Sequence, residues 1–245
     1  MLVAAPAANA AIIYEDSFNT ARNPLTGTGP DVVNTGGATW QYQRAGGSTA
    51  DAWRAASGVA QWGGGNPGGH TFEYLDFSPT DGEVYTLAAT MRFASGRDDK
   101  WVGFGFMDSS ANSSSNPFFL LQGGTLRDSV RTWDGTSESV DSGIDEPDWG
   151  TFSAVLDTTN PGNWAVQWYV GSTAIGSLST GVQAAGINRV AFGQNGQSSA
   201  KIEVDSFSLT TADTAVVPEP ASLALWSLTG LCLAGYGVYR RRRRN

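Results

Sequence analysis

The chain has 245 residues, 40% hydrophobic, 11% aromatic and 16% charged, with 31 Gly and nine Trp; so much aromatic and so little charge excludes a disordered chain and favours short strands and turns over helices. Fifteen basic residues face 23 acidic ones, and setting aside the terminal Arg run and Glu219 leaves 10 against 22 before Pro218, a net of −12 that argues against nucleic acid as a partner. The single Cys232 sits in an apolar C-terminal stretch, so the body holds no internal disulfide, and the single His70 removes His-based zinc sites and nearly all His-dependent triads.

Residues 1–10 read as the back half of a secretory signal whose front is missing: an apolar, uncharged run ends in the small-x-small site Ala8-Asn9-Ala10. A β-rich body over 11–210 follows. Weak strands are expected at 12–14, 40–43, 53–56 and 71–77. Over 83–94, Tyr85, Leu87, Ala89, Met91 and Phe93 share one face. Over 101–107, Val102, Phe104 and Phe106 share one face, and Gly103 and Gly105 lie on the other. Further strands are expected at 118–121, 129–133, 152–156, 164–170 and 189–192. The last strand, from Ile202 to Leu209, slips parity between Val204 and Phe207, which predicts a bulge at Asp205-Ser206. Turn sequences separate these runs at 78–82, 134–135, 160–163 and 195–196, and long polar loops are expected at 20–39 and 108–116. No helical period appears before the tail, and about a dozen closely spaced strands make the body all-β, a sandwich or barrel in one domain. Residues 211–217 read as a linker.

The body offers little recognisable acid–base equipment. Glu73-Tyr74-Leu75-Asp76 puts its carboxylates on opposite faces, and Glu203-Val204-Asp205 has no second Glu three residues on. These are expected to be surface or turn carboxylates. His70 follows the glycine-rich segment 63–69 and reads as a loop or edge residue, not a catalyst; no Gly-x-Ser-x-Gly elbow and no phosphate loop occur. No cofactor is expected. The acid-rich segments around Asp98, Asp99, Asp145 and Asp148 are weak calcium candidates, since hard cations take oxygen ligands. Trp62 and Trp133 lie beside turn sequences and are candidate aromatic platforms for glycan binding.

Residues 218–245 carry the most specific pattern. Pro218-Glu219-Pro220 precedes nineteen uncharged residues, 221–239, and then Arg240, Arg241, Arg242, Arg243 and Arg244. At about 1.5 Å per residue such a helix nearly crosses a hydrocarbon core of about 30 Å. The Arg run favours the cytoplasmic side and would stop translocation, placing the body outside the inner membrane.

The order of motif, apolar span and Arg cluster resembles the PEP-CTERM sorting signal of Gram-negative bacteria. That resemblance implies export through the inner membrane, processing of the tail by an exosortase, and arrival at the cell surface or in an exopolysaccharide matrix. The body is similar to concanavalin A-like, laminin G-like jelly rolls, on the segments Tyr14-Glu15-Asp16-Ser17-Phe18, 101–108 and 204–209. That second resemblance implies an antiparallel jelly-roll sandwich with terminal strands lying side by side. Together with the missing acid–base equipment and the sorting pattern, it yields the expectation of a non-catalytic surface protein, adhesive, structural or weakly glycan-binding, with polysaccharide as its partner. The alternative is a carbohydrate-active enzyme, a glycoside hydrolase or lyase, whose carboxylates the sequence does not announce.

Overall fold

A computed structural model of the chain describes residues 10–34, 36–45, 53–63, 69–95, 101–108, 118–122, 129–133, 149–178, 186–196 and 201–212. Residues 218–245, read above as a sorting signal, and the four calcium candidates lie outside them. Among the described residues no helix is long and apolar enough to cross a membrane.

The strands in chain order are β1 (Ala10–Asp16), β2 (Val32–Val33), β3 (Gln41–Ala45), β4 (Trp53–Ala56), β5 (Val59–Trp62), β6 (Gly69–Asp76), β7 (Val84–Ser95) and β8 (Trp101–Met107). They continue with β9 (Phe118–Gln122), β10 (Ser129–Trp133), β11 (Gly150–Asp157), β12 (Ala165–Val170), β13 (Thr173–Leu178), β14 (Arg189–Gly196) and β15 (Lys201–Ala212). All pair antiparallel. Nine form one sheet in the order β13-β12-β11-β7-β15-β1-β2, with the β4–β5 hairpin joined to β15; six form the other in the order β10-β9-β8-β14-β6-β3. The body is an all-β antiparallel sandwich, as the jelly-roll resemblance implies. Its terminal strands are neighbours as expected, with Asp16 opposite Phe207 and Ala10 opposite Ala212.

Alternation places the core. Tyr85, Leu87, Ala89 and Met91 of β7 are buried with Phe207 and Leu209 of β15, and Val102, Phe104 and Phe106 of β8 with Val190 and Phe192 of β14. Each large apolar side chain so buried stabilises by roughly 1.5–3 kcal/mol. Phe192 sits at the centre of an aromatic cluster: its ring lies 5.2 Å from Trp40, 5.1 Å from Trp53, 5.7 Å from Phe207 and 5.9 Å from Phe18. The register of β15 shifts between Val204 and Ser206, so the bulge falls at Asp205. There β15 changes partner: Glu203 and Val204 pair with β5, and Phe207 onward pairs with β1.

Several local expectations are corrected. Asn195-Gly196 is strand, not turn; β14 lies between β6 and β8, and its end pairs with His70 and Gly69 of β6. The 20–39 segment is not a polar loop throughout: it contains β2, and Leu25 is fully buried. The linker begins later than 211, because β15 runs to Ala212 opposite Val84 and Ala10. At the other end β1 takes in Ala10. The β4–β5 hairpin was hidden in its turn pair: Ser57 (φ 57°) and Gly58 (φ 80°) both take the left-handed conformation that tight two-residue hairpins require.

A buried carboxylate joins these parts. Asp16 is fully buried and accepts from the Trp40 indole at 2.7 Å, the Phe18 backbone N–H at 2.9 Å and the Arg22 guanidinium at 2.5 Å. Removing it in Asp16→Ala strands the buried Arg22 guanidinium and the Trp40 N–H, so stability should fall by about 3–5 kcal/mol in urea titration. A variant within 1 kcal/mol of wild type, about the level of an ordinary surface change, would show that the network does not hold the fold.

Candidate functional site

Each sheet turns one face to the core and one away. In β6 the core face carries Thr71, Glu73 and Leu75, and the outer face carries His70, Phe72, Tyr74 and Asp76. The pairing of Tyr74 with Gln41 and Ala191, and of Phe72 with Gln43 and Gly193, extends this outer face across β3 and β14. Gly103, Gly105 and Met107 continue it onto β8.

The middle of the outer face is closed. Phe72, Tyr74, Met107 and Ala191 form a second buried apolar cluster, separate from the core. The Phe72 ring occupies the space above Gly193: a Cβ there would come within 2.4 Å of it and of the Thr71 carbonyl. Gly193 is therefore required by close approach of its neighbour.

What remains open lies toward β3. Asp76 is exposed, and Gln41, Gln43, His70 and Arg189 are half-buried. The Gln41 amide donates to Asp76 Oδ2 at 2.7 Å, and the Tyr74 hydroxyl donates to Gln41 Oε1 at 3.0 Å. Arg189 lies over the Tyr74 ring, 4.1 Å from its centroid, and donates to Gln43 Oε1. The Tyr14 hydroxyl of the opposite sheet donates to the Asp76 carbonyl at 2.7 Å and fixes the end of β6. Burial pushes the Tyr74 phenol above its ordinary range; Arg189 opposes the shift, and the Asp76 and Glu73 carboxylates add to it. Tyr74 therefore stays a hydroxyl donor at neutral pH. The cluster offers a carboxylate, two carboxamides, a guanidinium and a phenol, a set that can give hydrogen bonds to hydroxyl groups and accept them.

The sequence-chosen residues fall in various places. Glu73 and Asp76 lie on opposite faces of β6, as the spacing requires, but Glu73 is no surface carboxylate: it is fully buried and accepts from the Thr26 hydroxyl at 3.0 Å. Glu203 is half-buried and paired with Arg92 at 2.6 Å. His70 is neither loop nor edge. It lies within β6, between β3 and β14, opposite Ala45 and Asn195. Trp62 is partly buried, its ring 6.0 Å from Trp53 and stacked at 6.5 Å on Tyr42. Trp133 takes the register position opposite Phe118 at the β10 edge. Sequence reading missed Gln41, Gln43, Tyr74 and Arg189, which come from three strands separated by long stretches of chain; only the outward parity of Tyr74 and Asp76 could have pointed to them. Among the described residues no group of His, Cys, Asp and Glu is placed to hold a metal ion.

Burial holds the His70 imidazole below its usual value of 6.5. The folded chain thus keeps His70 neutral where the unfolded chain would bind a proton, and stability drains away as pH falls from 6.5 through the lower folded value. In His70→Gln this part of the acid sensitivity should vanish, so urea midpoints should fall less steeply below pH 6.5 than in wild type. Parallel curves would show that His70 keeps its ordinary titration.

No family model and no curated protein matches the chain. Solved structures do share its fold. An endo-β-1,3-glucanase from Pyrococcus furiosus aligns at 11% identity over 82% of this chain and 94% of its own, with a TM-score of 0.51. A glycosyl hydrolase family 16 protein from Mycobacterium smegmatis aligns at 11% identity over 81% of this chain and 100% of its own, with a TM-score of 0.50. A chain described with endo-acting O-glycanases of the human gut microbiota aligns at 9% identity over 81% of this chain and 98% of its own, with a TM-score of 0.52. These likenesses overturn the expectation of a non-catalytic, adhesive body, which rested on the missing acid–base equipment, the jelly-roll resemblance and the sorting pattern of 218–245. The sandwich described here, with its open polar corner on the outer face of the six-stranded sheet, has the fold of these glycan-acting proteins.

Proposed function

We propose that the body is a carbohydrate-active enzyme, a glycoside hydrolase that works on polysaccharide at the outer face of the six-stranded sheet. The observation that carries this reading is the group Asp76, Gln41, Arg189 and Gln43 at the solvent-open part of that face, held by the hydroxyl of the buried Tyr74 and by its ring. The shared fold of glycan-cleaving enzymes supports it. Glycoside hydrolysis asks for two carboxyl groups, about 5–5.5 Å apart for retention and about 6.5–9.5 Å for inversion. Among the described strands Asp76 is the carboxylate on this face, and it would serve as one member of that pair. Gln41 and Tyr74 would fix its orientation, and Arg189 and Gln43 would bind sugar hydroxyls beside it.

The test is release of reducing ends from a panel of soluble glucans. Wild type should cleave at least one of them, and Asp76→Asn should lower turnover by about 10²-fold or more while leaving thermal unfolding unchanged. Cleavage undiminished in Asp76→Asn would remove Asp76 from the reaction. No cleavage of any glycan would reject the enzyme.

We further propose that the chain is exported by a Gram-negative cell and delivered to its surface or matrix, with 218–245 as the sorting signal, its apolar stretch a transmembrane helix, and an exosortase as the processing partner. The reading rests on Pro218-Glu219-Pro220, the uncharged span and the five arginines, Arg240–Arg244. Mass spectrometry of the surface fraction should find no peptide from 223–239. An intact tail there would leave a plain membrane anchor.

A further inference from the structure

Among the side chains whose burial is described, Ile12 and Trp149 are exposed large apolar ones, at 36% and 37%. Trp149 is held in place. The Arg92 guanidinium lies over its ring, 4.4 Å from the centroid, and is itself fixed to Glu203 by Nε at 2.8 Å and Nη2 at 2.6 Å. A ring backed in this way by a planar, doubly anchored cation keeps one orientation while part of its surface stays in water.

The setting argues for what could lie on that ring. Arg92 stands on the outer face of β7, since its neighbour Met91 is in the core, so Trp149 belongs to the outer side of the nine-stranded sheet. The cluster described above lies on the outer side of the other sheet. Arg92 and Glu203 cancel each other's charge, which leaves no net charge to recruit an ion. Two residues beyond Trp149 along the chain, the exposed Thr151 shares a 3.2 Å hydroxyl contact with Thr90, its register partner on β7. A flat indole beside neutral hydroxyls suits a ligand with an apolar C–H face and many hydroxyl groups.

We propose that Trp149, with Arg92, Thr90 and Thr151, is a second polysaccharide contact, which holds a neutral glycan chain against the nine-stranded sheet while the outer face of the other sheet acts on it. The inference rests on the carbohydrate-active reading. Its test separates the two. The full chain, kept in mild detergent, is mixed in the cold with insoluble β-1,3-glucan, cellulose and granular starch, and the retained fraction is measured beside cleavage of a soluble glucan. Wild type should be retained on at least one solid, Trp149→Ala should bind it about tenfold more weakly, and Trp149→Phe should keep most of the retention. Arg92→Ala, which frees the ring, should weaken binding in the same direction. Soluble turnover and thermal unfolding should be unchanged in Trp149→Ala. Equal retention of wild type and Trp149→Ala, or no retention of wild type on any solid, would overturn the second contact even where soluble cleavage persists. Loss of soluble cleavage in wild type would instead strike the enzyme reading itself.

Discussion

The carboxylate of Asp16 is the constraint on which the aromatic core depends. A buried charge is tolerated only when it is paired and hydrogen-bonded, and Asp16 has a donor from each segment that must converge on it. Its bond to the Phe18 N–H supports a left-handed backbone (φ 53°) that costs a side-chain-bearing residue roughly 1–2 kcal/mol. That conformation turns the Phe18 ring inward against Trp40 and Phe192. Its bond to the Trp40 indole satisfies the polar end of a ring that is otherwise fully buried. Arg22, drawn to the same carboxylate, also reaches the Gly29 carbonyl at 2.6 Å and so gathers the long segment between β1 and β2 over the sheet.

The two outer faces are built differently because their strands are. Where β7 and β15 pair, Ala88, Thr90, Ser206 and Ser208 leave the outer face of the nine-stranded sheet low, and toward the end of β7 Arg92 and the indole of Trp149 stand on it. β6 and β14 offer Phe72, Tyr74, Asp76 and Arg189, large enough to bury one another and to hold polar groups in fixed relation. Gly193 of β14 makes room for that outer cluster, as the position of Phe72 over it shows.

Much of the sandwich was legible in the sequence because its strands alternate cleanly. The parity slip between Val204 and Phe207 even located the bulge. Short or cryptic strands were not legible. Val32–Val33 owes its pairing to β1 alone, and Asn195-Gly196 looks like a turn until β6 supplies its partners. The candidate cluster was illegible for a related reason. Gln41, Tyr74 and Arg189 are ordinary residues in sequence, and only the register of three strands makes them neighbours. Burial of Glu73 was equally hidden, since the Thr26 that serves it comes from the irregular segment between β1 and β2.

The length of β15 has a mechanical consequence. It pairs with β7 from Lys201 to Ala212 and, on its other side, with β5 and then β1. Its hydrogen bonds run across the strand direction. A pull applied at Ala212 along the strand therefore loads both ladders in shear, so that many bonds must yield together. A pull that draws Ala10 and Ala212 apart would instead peel β1 away from its end, one bond pair at a time. The body is thus strong against tension carried by its last strand and weak against separation of its two ends.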